Sequence, residues 1–229
     1  MAALSQDIAH KIASVITAIH DKWVSVKDSS NVFQNGYAHF YSPPVEHPEV
    51  MIIGLNPGSE SLGFNEATAH ELPTAHNYIE ENHVLAEKMR KLFERNGQLE
   101  LLRNSVKLNL LFFRSQNIGE WHSVDPVMRA ELEAFFEEQA REIINTLKPK
   151  KIVCEGLETL ERVKTMFGSN HKSVDTKSTD RRTVYRTSTV TLADQTKIQV
   201  IGIMHPAARL SFADFDTMAD ALKKDLTVE

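Results

Sequence analysis

The stretch that decides the fold is MIIGLNPGSESLGF, from Met51 to Phe64, in which a short apolar run meets a rigid polar turn. The run from Val50 to Ile53 has the length and composition of a buried strand. The Gly-x-Asn-Pro-Gly sequence that follows predicts a tight turn at the C-terminal end of that strand. In open α/β sheets, ligands bind where parallel strands end. We therefore expect the side chain of Asn56 to lie at a functional edge of a sheet.

The rest of the chain alternates between strand-like and helix-like patterns. Apolar residues recur at helical spacing in five segments, 5–25 (with Ser5 as a candidate cap), 79–96, 127–147, 157–167 and 213–225. Apolar runs predict further buried strands at 105–113, from Lys151 onwards and at 197–205, whereas 183–190 suits an edge strand or a hairpin arm. The segment 168–182 is polar and is predicted to be a loop. Strands that alternate with helices predict a three-layer α/β/α sandwich with a mostly parallel central sheet.

Composition indicates one globular domain over residues 1–229. Hydrophobic residues make up 41% and charged residues 25% of the chain, which is ordinary for such a domain. No apolar run reaches the roughly 18 residues of a membrane span, and the first residues lack the basic and apolar regions of a signal peptide. Cys154 is the only cysteine, which excludes an intramolecular disulfide and a cysteine-held iron–sulfur cluster and fits a cytoplasmic protein.

The net charge of −5 and the isoelectric point of about 6.1 argue against tight, nonspecific binding of DNA. They leave room for a basic face around one local site.

Polar residues stand at the end of, or inside, three of the predicted strands. Asn56 follows the first, Asn109 interrupts the apolar run KLNLLFF, and His205 ends the run KIQVIGIMH. Parallel strands end at the same edge of a doubly wound sheet, so these side chains are expected to converge there. Each also has a plainer interpretation. Asn-Pro-Gly is a common turn, a buried amide needs only a hydrogen-bond partner, and a lone histidine before proline is more often packed or bonded to solvent than catalytic.

The order of these motifs resembles that of the uracil-DNA glycosylase superfamily. GLNPGS from Gly54 is similar to the first motif of the mismatch-specific and single-strand-selective monofunctional branches, and HPAARLS from His205 is similar to the second motif. Between them, NLLFFR from Asn109 resembles the family's central strand. The resemblance covers about residues 49–211, and it implies the same α/β/α fold.

The resemblance also implies a reaction and roles in it. A monofunctional DNA glycosylase hydrolyses the bond between a base and deoxyribose, and it uses no metal and no cofactor. His205 is expected to donate a hydrogen bond to the departing base, and Asn56 is expected to hold the attacking water. Asn109, with a donor and an acceptor, matches the edge of uracil, and Phe64 is expected to stack on the extruded base. The resemblance places Gly54 and Gly58 in the base pocket.

Three further residues are expected to contact DNA, namely Arg114, Arg209 and Ser211. Arg209 stands where some branches of the family place an arginine that enters the helix. Two features depart from the family pattern. The motif His-Pro-Ala-Ala lacks a hydroxyl that contacts phosphate, and Phe64 lies closer to the first motif than the usual stacking phenylalanine. Phe112 and Phe113 are therefore alternatives for the stacking role.

Other clusters have simpler interpretations. The stretch HELPTAHNYIEENH contains His70, His76 and His83, but Thr74 stands where a zinc-binding His-Glu-x-x-His helix needs its second histidine. The basic residues of KPKK (148–151) and of DRRTVYR (180–186) are either solvated surface or, if they flank the site, phosphate contacts.

Through this resemblance, the sequence is expected to encode a monomeric enzyme of base excision repair that acts on uracil or a related deaminated base in single-stranded or mismatched DNA. Two alternatives stay open. One is a member of the superfamily that binds or cleaves a nucleoside or nucleotide outside DNA. The other is a domain that has lost catalysis and serves only in binding.

Overall fold

The computed structural model describes residues 4–58, 63–178 and 181–227. Within them the chain forms eight α-helices, α1 Gln6–Val26, α2 Asn77–Glu80, α3 Val84–Arg95, α4 Leu99–Arg103, α5 Ile118–His122, α6 Pro126–Leu147, α7 Leu157–Met166 and α8 Phe212–Leu226. The six strands are β1 Val50–Gly54, β2 Val106–Asn109, β3 Lys151–Glu155, β4 Val174–Lys177, β5 Thr183–Thr191 and β6 Lys197–Ile203. No described helix is both long and apolar enough to cross a membrane.

The strands form one sheet in the order β2-β1-β3-β6-β5-β4. The first four of these are parallel to one another, while β5 is antiparallel to β6 and β4 is antiparallel to β5. The predicted mostly parallel sheet is therefore confirmed, and an antiparallel hairpin extends one of its sides.

Helices cover both faces of the sheet, as the alternation of side chains along β1 shows. Met51 and Ile53 join the core formed with α1, α6 and α7, whereas Val50 and Ile52 join the core formed with α3 and α8. All five residues of β1 are buried. A strand covered on both faces is expected to be apolar throughout, which explains the continuous run in the sequence. The three-layer α/β/α sandwich is confirmed.

Several predicted boundaries were wrong. The helix predicted at 79–96 is two elements, because His83 begins α3 by accepting a hydrogen bond from the amide of Ala86. The strand predicted at 105–113 ends at Asn109. The polar segment 168–182 contains β4 rather than loop alone. Its residues are mostly exposed, so no hydrophobic pattern marked it. Ser5 stands at the start of α1, but its side chain makes no capping hydrogen bond.

Candidate functional site

The strand order reverses at β1, and this reversal locates a crevice. The chain leaves β1 through α2, α3 and α4 to reach β2 on one side, then crosses back through α5 and α6 to β3 on the other side. Helices α3 and α6 lie on opposite faces of the sheet. In doubly wound sheets the crevice at such a switch point, outside the C-terminal ends of the strands, is where ligands bind.

One row of residues crosses the sheet at this edge. Asn109 of β2 pairs with Gly54 of β1. On the other side of β1, Ile53 pairs with Cys154 of β3, so the next residue of β3, Glu155, lies beside Gly54. Alternation along the strands turns Asn109 and Glu155 to the face covered by α3 and α8, because Leu108 and Cys154 belong to the opposite core. Gly54 has no side chain, and it therefore leaves a gap between the amide and the carboxylate.

The ammonium group of Lys107 fills this gap. Its Nζ lies 2.9 Å from Oε2 of Glu155 and 3.2 Å from Oδ1 of Asn109. It also lies 3.4 Å from the carbonyl oxygen of Leu108. The side chains of Lys107 and Glu155 are only 4% and 2% exposed. A charge taken out of water to this extent is tolerated when it is paired and hydrogen-bonded, and here three donors meet three acceptors.

Two tyrosines complete the surroundings of this ion pair. The hydroxyl of Tyr78 donates to Oε1 of Glu155, and burial together with that carboxylate raises the pKa of Tyr78 well above its usual value. The rings of Tyr41 and Tyr78 lie 5.5 and 5.3 Å from Nζ of Lys107, which is the range of a cation–π contact. Both hydroxyls are therefore neutral, and the ring faces add to the stabilisation of the ammonium.

A Cβ atom at Gly54 does not fit into this arrangement. It would lie 2.0 Å from Oδ1 of Asn109, 2.9 Å from Oε2 of Glu155 and 3.0 Å from Nζ of Lys107. At Gly58, by contrast, no described atom lies within 4 Å of the equivalent position. The glycine of the first motif that the structure requires on steric grounds is Gly54.

Asn56 follows β1 at the same edge, and its side chain is bound to Ser115. Its Nδ2 donates to the carbonyl oxygen of Ser115 at 3.3 Å, and its Oδ1 accepts from the hydroxyl of Ser115 at 2.9 Å. The backbone amide of Ser115 in turn donates to the carbonyl oxygen of Pro57. The amide of Asn56 is thus held in one orientation, with one lone pair of Oδ1 left for a ligand or a water.

His205 lies two residues beyond the end of β6, at the same edge as Asn56. Its Nδ1 accepts from the amide of Ala207 at 3.2 Å, so the proton of the neutral imidazole is on Nε2. Partial desolvation lowers the pKa of His205, and the nearby Lys107 and Lys88 act in the same direction, while Glu155 opposes them. The residue as a whole is nevertheless exposed. At neutral pH the imidazole is therefore neutral, with Nε2–H as its donor.

The loop that carries His205 is supported from two sides. Lys88 of α3 donates to the carbonyl oxygen of Ala208 at 3.3 Å. Arg182 donates to the carbonyl oxygen of Arg209 at 3.5 Å and lies 3.4 Å from the carboxylate of Asp214 in α8. Ser211 begins α8 by a reciprocal hydrogen bond, since its hydroxyl accepts from the amide of Asp214 and its own amide donates to that carboxylate. This cap explains Ser211 without any DNA contact, and the predicted contact stays a prediction. Arg209, beside it, is exposed.

Phe64 lies in a neighbouring aromatic cluster. Its ring centroid is 4.9 Å from that of Trp23 and 5.4 Å from that of Tyr37, and its ring lies against Gly36. Arg114 ties this cluster to the turn after β1, because its amide donates to the carbonyl oxygen of Gly36 and its Nε donates to that of Gly58. These contacts account for both residues structurally, and their predicted roles towards base and DNA remain predictions.

The alternatives for the stacking role are wrong. Phe112 and Phe113 are each 0% exposed, and both rings pack against Phe136 of α6. A ring that is closed in on all sides by the core offers no face to a base.

Two other clusters of the sequence have structural roles. His76 and His83 cap α2 and α3, each by accepting a backbone hydrogen bond. Lys148 and Lys150 pair with Asp194 and Glu49 at the N-terminal edge of the sheet, opposite to the crevice, where Lys151 begins β3. The basic cluster at 148–151 therefore does not flank the site.

Sequence reasoning missed most of the polar network beneath the edge, namely Lys107, Glu155, Tyr78, Ser115 and Lys88. A signal was present for two of them. Lys107 interrupts the apolar run SVKLNLLFF, and Glu155 ends the run KIVCE, so each is a charged residue in a context that predicts burial. Such residues need a partner of opposite charge.

Comparison of the chain with models of protein families gave no matching family, and comparison with curated proteins gave no matching relative. The candidate site therefore stands on its own geometry.

Proposed function

We propose that the protein is a monofunctional DNA glycosylase, related to the uracil-DNA glycosylase superfamily, that removes uracil or a related deaminated base. The observation that carries the proposal is the position and tautomer of His205. A neutral imidazole with its proton on Nε2 lies at the same sheet edge as two amides held in fixed orientation, Asn56 and Asn109. A hydrogen-bond donor at the leaving base and a held water are what hydrolysis of a glycosidic bond requires.

The reaction divides among these groups as follows. The bond from C1′ of the sugar to the base nitrogen breaks, and the base keeps both electrons of that bond. His205 donates its Nε2–H to the carbonyl oxygen on which the negative charge develops. A water bound to the free lone pair of Asn56 Oδ1 bonds to C1′, and its proton is released to the base. Because an amide is a weak base, this assignment predicts a slower enzyme than one with a carboxylate at position 56.

Surface features at the same edge support a nucleic-acid partner. Phe212, the first residue of α8, is 93% exposed. Arg209 lies three residues before it, and Arg182 lies 3.4 Å from Asp214 in the first turn of the same helix. An exposed aromatic ring beside cationic groups suits the stacking and phosphate contacts of single-stranded nucleic acid. An enzyme that acts on a base must also take it out of the stack, which costs least in single-stranded or mismatched DNA.

A direct test is incubation with a single-stranded oligonucleotide that contains one uracil, followed by cleavage of abasic sites with alkali. We expect scission at the uracil and none in an oligonucleotide with thymine at that position. Absence of scission for uracil, hypoxanthine and xanthine alike would contradict the proposal.

Two observations favour a second candidate, a domain that binds a nucleoside or nucleotide without acting on DNA. Both ends of the Asn56 amide are engaged by Ser115, and the net charge of −5 weakens attraction to a polyanion. Binding of single-stranded DNA that weakens steeply with salt supports the glycosylase, whereas binding of free nucleosides with little dependence on salt supports the second candidate.

A further inference from the structure

Lys107 determines which way the side-chain amide of Asn109 faces. An ammonium group has donors only, so the atom of Asn109 that lies 3.2 Å from Nζ has to be the oxygen. The amide oxygen and nitrogen of an asparagine look alike in most structures, but here the chemistry of the neighbour settles the assignment. Nδ2 is consequently turned away from Lys107.

A rotation of the Asn109 amide by half a turn is strongly disfavoured. It would place the donor Nδ2 against the donor Nζ and leave the buried ammonium with one acceptor fewer. Lys107 cannot move away to accommodate the change, because Glu155 holds it at 2.9 Å and the side chain is only 4% exposed. Gly54 lies directly over the three groups, which closes the space into which they could shift.

A second polar atom adjoins the Asn109 amide without a partner. Burial raises the pKa of the Tyr41 hydroxyl, and the nearby Asn109 side chain acts in the opposite direction. The contact does not meet hydrogen-bond geometry, and this buried hydroxyl has no partner among the described residues. Unsatisfied buried polar atoms are rare, and one beside Asn109 points to a ligand that supplies the missing hydrogen bond.

We propose that Lys107, held by Glu155, is the residue that sets base specificity, because it locks the Asn109 amide with Nδ2 towards the ligand. The inference rests on the proposed function. A locked donor accepts a base with a carbonyl oxygen at that position, such as uracil, and rejects a base with an amino group there, such as cytosine. Lys107 does not touch the base and is a positioning residue.

The test compares the binding of two single-stranded oligonucleotides, which contain uncleavable 2′-fluoro-2′-deoxyuridine or 2′-fluoro-2′-deoxycytidine. We expect the wild type to prefer the uridine about 10- to 100-fold, the cost of leaving a buried donor without an acceptor when the base is cytosine. The triple variant Lys107→Met/Tyr78→Phe/Glu155→Leu replaces these three polar side chains by apolar groups of similar size. Proteins often tolerate such a replacement of a whole buried ion pair. We expect the preference to fall below about 3-fold, because the amide is then free to turn.

The control is Ser188→Ala, which removes a buried hydroxyl bound to the carbonyl oxygen of His171, away from the site, and which should retain the preference of the wild type. The melting curve shows whether the triple variant folds. If it folds and still prefers the uridine as strongly as the wild type, Lys107 does not lock Asn109.

A nuclear Overhauser measurement on the wild type tests the lock without any nucleic acid. In the locked orientation the Nδ2 protons of Asn109 point away from the Cε protons of Lys107, so we expect no strong cross-peak between them. A strong cross-peak overturns the lock, even if the triple variant does not fold. If the wild type binds neither oligonucleotide, the proposed function fails, and this spectrum still decides the orientation of Asn109.

Discussion

Asn56 and Ser115 are joined by two hydrogen bonds, one at each end of the Asn56 amide, at 3.3 and 2.9 Å. The two residues are 59 positions apart in the chain, and the turn after β1 meets the segment after β2 through them. Ser115 is fully buried, whereas Asn56 is half-buried. The two hydrogen bonds to the buried Ser115 therefore hold the Asn56 side chain in place, while part of Asn56 stays accessible to solvent.

Ser115→Ala should loosen Asn56. We expect the free energy of unfolding to fall by about 1–2 kcal/mol, the cost of one buried hydrogen bond, and single-turnover cleavage of uracil-containing DNA to slow by about 10- to 100-fold through lost orientation. Ser188→Ala is the control, because Ser188 is also buried and its hydroxyl donates to the carbonyl of His171, away from the site. Equal cleavage rates in the two variants would show that Ser115 does not position Asn56.

His205→Ala should lower the rate of glycosidic cleavage by roughly 10²–10³-fold, the usual cost of losing a donor to a developing oxyanion. The fold should survive, since the residue is exposed at the end of a strand. Binding of an uncleavable analogue should change little, because the base carries its full charge only as the bond breaks. His10→Ala, at an exposed position of α1, serves as the control in the same single-turnover assay. A rate equal to that of the wild type would exclude His205 from the mechanism.

Asn109→Asp should change base choice more than stability. The carboxylate oxygen that replaces Oδ1 still accepts from Lys107 at about the present distance of 3.2 Å, so the melting temperature should stay close to that of the wild type. The second carboxylate oxygen takes the place of Nδ2, so a hydrogen-bond donor becomes an acceptor. That oxygen repels the carbonyl oxygen of uracil. Melting curves and binding of the fluorinated uridine and cytidine oligonucleotides test both parts, with the exposed Asn104→Asp as control. Global unfolding of the Asn109 variant would instead make Asn109 a structural amide.

Gly54→Ala and Gly58→Ala should differ sharply, although both belong to the first motif. The new methyl group at position 54 meets Oδ1 of Asn109 at 2.0 Å, so we expect a loss of at least about 2 kcal/mol in the free energy of unfolding and loss of base binding. At position 58 no described atom lies within 4 Å, and the change should stay within about 0.5 kcal/mol. Urea titration of both variants is the measurement. Similar stabilities would contradict the packing of Lys107, Asn109 and Glu155 beneath Gly54.

Acid should destabilise the protein through two buried histidines. Burial is the main cause that lowers the pKa of both His39 and His76 from 6.5 to about 4, and their side chains are almost fully buried. Because the folded-state pKa is the lower one, the stabilisation is present above pH 6.5 and is lost progressively as the pH falls towards 4. By pH 5 the loss should be on the order of 2 kcal/mol for each residue.

Urea titrations at pH 7 and pH 5 measure this loss, and His76→Gln should remove about half of it. His122→Gln, at an exposed position, is the control and should leave the pH dependence unchanged. An identical loss of stability in the wild type and in His76→Gln would contradict the assignment of His76.

Local patterns of the sequence were sufficient for the fold class. The spacing of apolar residues in α1 and α6 and the continuous apolar run of β1 follow from burial on one side or on both sides, and each is visible within a single segment. β4 escaped prediction because its residues are mostly exposed, so that its pairing with β5 rather than its composition makes it a strand.

The sequence by itself determined the α/β/α class and the presence of polar residues at strand ends, including Asn56, Asn109 and His205. Only the tertiary structure decided that β1 lies between β2 and β3, and with it that Lys107 reaches Glu155 beneath Gly54. Periodicity is a property of neighbours along the chain, whereas strand order depends on which distant segments pair. The orientation of the Asn109 amide depends on that pairing, because the ammonium that fixes it lies in the gap left by the glycine of the adjacent strand.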